Sequence, residues 1–289
     1  MNYDALTPLD QFGFLAVNGR DAVKFLQGYT TCDLEQLDTE HAQRGAICNI
    51  KGRMVSNFLV ISTADGLLLR MDKALVESTE AFLGKYIVFS KAELVNLSGD
   101  MVCFGAFGDA LAETGDTIPQ DMYSIADNDE GKLLKVDENR FELWAAAGQL
   151  NNDVEASTAA LAAWQLAELR SGIVWVNADT SEEYIPQMFD LHNQAGISFD
   201  KGCYLGQEIV ARMQYRGELK NRLHLAEVPD SVPAEHRQIG AKVLSSEGKK
   251  LGNIVARSGN LCALVLKIGE ADYQLGDGTE ITPSEVSNT

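Results

Sequence analysis

One stretch of this chain reads as a long helix, and almost everything else is short, branched and punctuated by glycine. Residues 156–171, ASTAALAAWQLAELRS, carry Leu161, Trp164, Leu166 and Leu169 on an imperfect apolar stripe, and Gly172 stands where a helix would stop. Before it, 11–18 (FGFLAVNG) reads as a strand and DAVKFLQG, opened by Asp21 and closed by Gly28, as a short helix. AQRGAICNI and MVSNFLVIST are branched runs joined through Lys51-Gly52, the signature of a hairpin. ADG at 64–66 predicts another turn, and 73–84 has a helical pattern. Short strands follow at IVF, AELVNL and MVCFGAFG, with a hairpin through Asp137–Arg140. Residues 172–200 show turn residues without periodicity. Pro229 and Pro233 flank a linker, and 239–283 is again strand-rich and Gly-punctuated. The pattern predicts an α+β protein, with a large body over 1–228 and a small C-terminal β-domain over 229–289.

The chain has 289 residues, 45% apolar and 23% charged, which excludes a disordered polymer. It has no apolar run of about 18 residues, and no basic start followed by an apolar core, so neither a membrane span nor a signal peptide is expected. The cytoplasm is the expected compartment. Lys and Arg number 24 against 42 Asp and Glu, a net −18 that repels nucleic acid and anionic membranes. Two islands depart from that field. Lys201, Arg212, Arg216, Lys220 and Arg222 face only Glu208 and Glu218, and Arg44, Lys51 and Arg53 stand in a stretch free of acids. Concentrated cations of this kind suggest a local site for a modest anion. We expect Lys51, Arg53, Arg212 and Arg216 to share one cavity. The five cysteines are odd in number and widely spaced, and the histidines show no HxxxH pattern, so no disulfide scaffold or autonomous metal site is readable.

The segment Lys201–Gly217, KGCYLGQEIVARMQYRG, carries the chemistry. Gly202 precedes a helical stretch, which would set Cys203 in the first turn. There the helix dipole and free N–H groups favour a thiolate. Lys201, two residues earlier, adds a positive charge that would lower the thiol pKa further. On such a helix Cys203 and Gln207 share a face, as do Glu208 and Arg212. Cys203 and Lys201 are therefore the candidate catalytic pair.

The run Lys201-Gly202-Cys203-Tyr204-Leu205-Gly206-Gln207-Glu208, then Arg212 and Arg216-Gly217, resembles the signature of the YgfZ family of folate-binding proteins. VNGRDAVKFLQGYTTCD at 17–33 and YIPQMFDLHNQAGISF at 184–199 resemble the family as well, so the likeness spans most of 10–220. The family is related to the aminomethyltransferase of the glycine cleavage system. The resemblance implies a folate-binding body in two lobes around a central cavity, followed by a C-terminal β-barrel. It also implies a tetrahydrofolate-type cofactor and a role in assembly or repair of iron–sulfur clusters, through which tRNA-modifying enzymes would depend on the protein indirectly. Partners would be folate and iron–sulfur assembly proteins or client enzymes. Cys203 would serve as ligand to a shared cluster. One cysteine supplies only one of the usual four ligands.

By the same resemblance, two aromatics flank the folate. Trp164 matches the one on the long helix, and the first-strand position falls on Phe12. Gln207, Arg212 and Arg216 complete the expected cofactor-binding set. Aminomethyltransferases carry an acidic pair after a Gly-rich hairpin; here that stretch is Gly52-Arg53-Met54-Val55-Ser56-Asn57, without a carboxylate. A folate-dependent one-carbon transferase is thus the alternative, and the missing acids argue against it. A cysteine-nucleophile enzyme would need a histidine beside the thiol, and none follows Cys203 within twenty residues. Direct tRNA binding is opposed by the net charge.

Overall fold

The computed structural model describes residues 6–111, 118–150, 157–215, 217, 219–270 and 272–286. Branched runs pair into two antiparallel sheets in the body. The first has five strands in the order Gln43–Cys48, Met54–Thr63, Gly66–Asp72, Phe12–Asn18 and Glu93–Asn96. The second runs Thr7–Pro8, Met101–Phe107, Arg140–Ala146, Lys132–Lys135 and Ile125–Asp127. Alternation along each strand divides its residues between two cores. Leu15 and Val17 pack on the helices Ala22–Gln27 and Val76–Gly84, whereas Phe12, Phe14 and Ala16 point the other way. There they meet Cys103, Leu134 and Trp144 of the second sheet and Trp164 of the long helix. Phe14 and Trp144 touch edge to face, centroids 5.3 Å apart.

The long helix spans Thr158–Arg170. The Ser157 hydroxyl accepts from the Ala160 N–H to cap its start, and Gly172, at φ +69°, turns the chain out of it. Trp164 lies flat over Gly105, where an added Cβ would fall 2.6 Å from the ring. The same helix touches the C-terminal sheet through the Ser258 hydroxyl, which donates to the Ala162 carbonyl at 3.1 Å.

That C-terminal sheet has seven strands and curls into a half-barrel. Its order is Glu280–Ile281, Tyr273–Gln274, Lys242–Leu244, Lys250–Ser258, Leu261–Lys267, Asn221–Glu227 and Ser284–Glu285. Strand Asn221–Glu227 precedes the expected boundary at Pro229, yet it pairs over its whole length with Leu261–Lys267. One face of this sheet shares a core with the body, where Val255 and Val265 meet Met54, Leu169, Val174 and Phe189. Two expectations are corrected. IVF forms a 3-10 turn, Ile87–Phe89, and not a strand. The helix after Lys201 begins only at Gln207, because Gly206 sits at φ +83°, outside helical backbone. Among the described residues no helix is long and apolar enough to cross a membrane.

Candidate functional site

Between the two body sheets the core is not uniformly apolar. Arg70, Arg140, Glu142, Arg44 and Glu168 are all at most 6% exposed. Their strand positions explain the burial: Arg70 follows Leu68 on the inward face of Gly66–Asp72, and Arg140, Glu142 and Trp144 alternate onto one face of their strand. Glu142 is saturated. It accepts two bonds from Arg70, the one from Nε at 3.0 Å, and a third from Trp144 Nε1 at 2.8 Å, with the Cys103 thiol 3.7 Å away. Arg70 stacks on Phe12 at 3.9 Å and on Trp175 at 4.1 Å. Arg44 covers Trp175 at 4.6 Å, and Arg140 covers Trp164 at 4.9 Å. Glu168 accepts from Trp175 Nε1 at 2.9 Å. Burial raises its carboxyl above the ordinary carboxylate range, and Arg140 opposes that rise.

The arginines are not all satisfied. Arg70 Nη1, Arg44 Nε, both terminal nitrogens of Arg140 and Trp164 Nε1 are buried with no aligned acceptor. Arg140 Nε donates to Asp137 at 2.6 Å and its Nη2 pairs with the same oxygen, so Asp137 neutralises the charge, while Nη1, 4.0 Å from Glu168, keeps its N–H groups unused. Unmade bonds of buried donors cost about 1–3 kcal/mol each, so a cluster of them points to a missing acceptor. Directly outside lies a cavity of about 560 Å³ lined by Tyr123, Asp137, Arg170, Ile173 and Gln194. Asp137 holds Arg140 from the cavity side at 2.6 Å, and Gln194 holds Arg44 at 2.7 Å. The cavity floor and the arginine core are therefore adjoining layers.

The second site is the motif itself. Lys201 is only 8% exposed. Its ammonium donates to three carbonyls of one loop, Gln27 at 2.9 Å, Thr30 at 2.8 Å and Cys32 at 2.6 Å. It holds the turn after the first helix rather than facing the Cys203 thiol. Leu205 N–H adds a bond to Gly28 O at 3.0 Å. Cys203 is not in a helical turn; it lies four residues before Gln207, in irregular backbone, and the expected dipole effect does not reach it. It is exposed, whereas Cys32, Cys48, Cys103 and Cys262 are buried. Burial pushes the Cys32 and Cys262 thiols up to about 11. Cys203 lines a cavity of about 530 Å³ with Phe25, Tyr29, Tyr86, Tyr204 and Phe89.

The remaining expectations separate. Phe12 and Trp164 do share the central core, but each ring is covered by a guanidinium and neither presents a free face to a cavity. Gln207 opens its helix beside the motif turn, remote in contact from that core. The two basic islands meet: a Cβ on Gly52 would fall 2.8 Å from Ile209, so the Lys51–Arg53 turn packs on the helix bearing Arg212. Lys51, Arg53 and Arg212 are exposed there, and Arg53 donates to the Glu182 carbonyl at 3.2 Å. Arg216 lies outside the described residues. Arg44 leaves its island for the interior. Asn57, where transferases carry an acid, bonds two backbone groups, donating to Val174 O at 2.9 Å and accepting from Val176 N–H at 2.7 Å. Composition and motif reasoning missed Arg70, Arg140, Glu142, Glu168 and Trp175. The available signal was charge at inward positions of apolar strands, as in LLLRM and RFELW.

The fold and this polar core define a class. The glycine cleavage system aminomethyltransferase T from Bartonella henselae superposes with a TM-score of 0.72, covering 98% of this chain and 84% of that one at 14% identity, so the chain has the aminomethyltransferase fold. No family model matches the chain. Over 291 residues it is 30% identical to the tRNA-modifying protein YgfZ of Colwellia psychrerythraea, covering 98% of this chain and 85% of the relative. It is 34% identical over 228 residues to the tRNA-modifying protein YgfZ of Vibrio vulnificus, covering 76% and 69%. The chain belongs to the YgfZ family.

Proposed function

We propose that this protein binds a reduced folate over its arginine–tryptophan core and acts as an accessory factor in iron–sulfur cluster assembly or repair, sustaining the enzymes that modify tRNA. The observation that carries the folate reading is the set of buried, unpartnered donors on Arg44, Arg70, Arg140 and Trp164 behind a cavity of about 560 Å³. Folate is rich in acceptors and carries carboxylates, which is the chemistry those donors lack. When bound, a reduced folate can carry a one-carbon unit. Glu168, buried and bonded through one oxygen to Trp175, would accept N–H donors of the pterin. The arginines would take its acceptor atoms or its carboxylates. Asn57 is committed to backbone bonds, which disfavours aminomethyl transfer as the output.

A resident cluster does not fit the donors. Among the described residues no group of three His, Cys, Asp or Glu side chains is placed to hold a metal, and four of the five thiols are buried. A cluster would be cargo, with exposed Cys203 offering one thiolate to a site completed by a partner. The relatives' name, tRNA-modifying protein, supports the tRNA side of the reading. The test is complementation of a strain lacking the protein, reading by mass spectrometry the sulfur-bearing tRNA nucleosides made by iron–sulfur enzymes. C203S is expected to leave them at the level of the empty vector, with wild-type abundance of the folded protein. Full restoration by C203S would overturn the role assigned to the thiol.

A further inference from the structure

Further cavities adjoin the one beside the arginine core. Asn193 lines both that cavity and a second one of about 270 Å³, which Gln187, Asp190, His192 and Arg222 share. Gln187, His192 and Arg222 also line a third, of about 620 Å³, which ends at Lys220 and Lys267. The three cavities thus share walls in sequence. Their polar character changes along the way. In the middle stand three unpartnered polar atoms, the acceptors Gln187 Oε1 and Asp190 Oδ2 and the ring nitrogen His192 Nδ1. Gln187 is 4% exposed, and its orientation is fixed because its amide nitrogen donates to Val210 O at 2.7 Å. Arg222 lines both the middle and the far cavity, and Lys220 and Lys267 line the far one. Lys220 and Arg222 have no acidic partner among the described residues, whereas Lys267 pairs with Glu270. Glu285 is the other carboxylate on the middle cavity, so carboxylates of a ligand belong at the far end.

We infer that this groove takes the poly-γ-glutamate tail of the folate. The inference rests on the folate reading above and extends it. A γ-glutamyl chain repeats an amide N–H and a carboxylate. The N–H suits the unpartnered Gln187 and Asp190 oxygens, and the carboxylates suit Lys220 and Arg222. On a protein of net −18, two cations along an acceptor-lined passage with no acidic partner among the described residues are otherwise unexplained.

The experiment compares tetrahydrofolate monoglutamate with the pentaglutamate by equilibrium dialysis, under anaerobic conditions, on the wild type and on K220A/R222A. Both residues are exposed, so the variant should fold, which a melting curve verifies. The wild type is expected to bind the pentaglutamate about 10-fold tighter, the sum of two partly screened ion pairs. The preference should shrink as salt is raised and disappear in the variant. Equal wild-type affinity for the two forms would overturn the tail groove and leave the folate reading standing. A preference that survives in K220A/R222A would overturn the placement. Failure of both forms to bind the wild type would remove the folate reading and the groove together.

Discussion

Replacing Lys201 by methionine tests whether the motif lysine is a tuner of the thiol or a clamp on the chain. Methionine keeps most of the side-chain volume and removes the ammonium. Three donated bonds of 2.6–2.9 Å are lost at once, and the carbonyls of Gln27, Thr30 and Cys32 are left beneath a side chain that is 8% exposed. Bonds to a charged donor contribute about 1.5–3 kcal/mol each, a gross loss of several kcal/mol. Relief from burying an ammonium offsets part of it, and burial does pull the Lys201 pKa below its ordinary value. A net loss of about 3–5 kcal/mol is expected, as for removal of one partner from a buried charged network. At about 2–4 °C per kcal/mol, the melting midpoint should fall by roughly 6–20 °C. Differential scanning calorimetry reads this, and iodoacetamide labelling of Cys32, whose carbonyl Lys201 holds, should rise in parallel. A midpoint within about 2 °C of wild type, together with slowed alkylation of Cys203 alone, would refute the clamp and restore the tuning role.

Other consequences follow from the same contacts. In the native wild type, iodoacetamide with mass-spectrometric mapping should modify Cys203 first, and Cys32, Cys48, Cys103 and Cys262 only after unfolding; early labelling of a buried cysteine would contradict the packing. Glu168 holds its proton to higher pH when folded than when unfolded, so its contribution to stability declines as pH rises above about 4.3 through its folded value. E168Q should therefore melt no lower than wild type at about pH 7, with the difference vanishing as the pH falls toward that of an ordinary carboxylate; a clear loss at neutral pH would show that the Arg140 contact outweighs desolvation. N57D would lose the donor to Val174 O and place a charge on a buried strand, costing at least about 1–3 kcal/mol by urea melts, without producing aminomethyl transfer.

The strands Phe12–Asn18 and Met54–Thr63 were legible as continuous apolar runs bounded by turn residues, because each is buried on both faces; their assembly into two sheets was not. The long helix was legible through its stripe and Gly172, though not through its Ser157 cap. The start of the motif helix was not, since Gly206 stops it through a left-handed backbone required by close approach to Asn49, a contact some 157 positions away in sequence. Lys201 was misread for a similar reason: its partners lie 169 to 174 residues earlier, and an isolated lysine in a sequence defaults to solvent. The central site was half legible. Phe12 and Trp164 located the core, but the arginines that cover them were counted as surface charge or passed over inside apolar strands.

All three tryptophans of the chain, Trp144, Trp164 and Trp175, contact the central polar cluster, so intrinsic fluorescence reports on that place and little else. The most direct test is an anaerobic titration with tetrahydrofolate, following tryptophan emission in the wild type and in W164F, which removes the unpartnered Nε1 donor while keeping an aromatic ring. A saturable change is expected in the wild type, with affinity reduced about 3- to 10-fold in W164F, as for loss of one buried hydrogen bond. A wild-type signal that never saturates, or an affinity identical in W164F, would contradict folate binding at the arginine–tryptophan core.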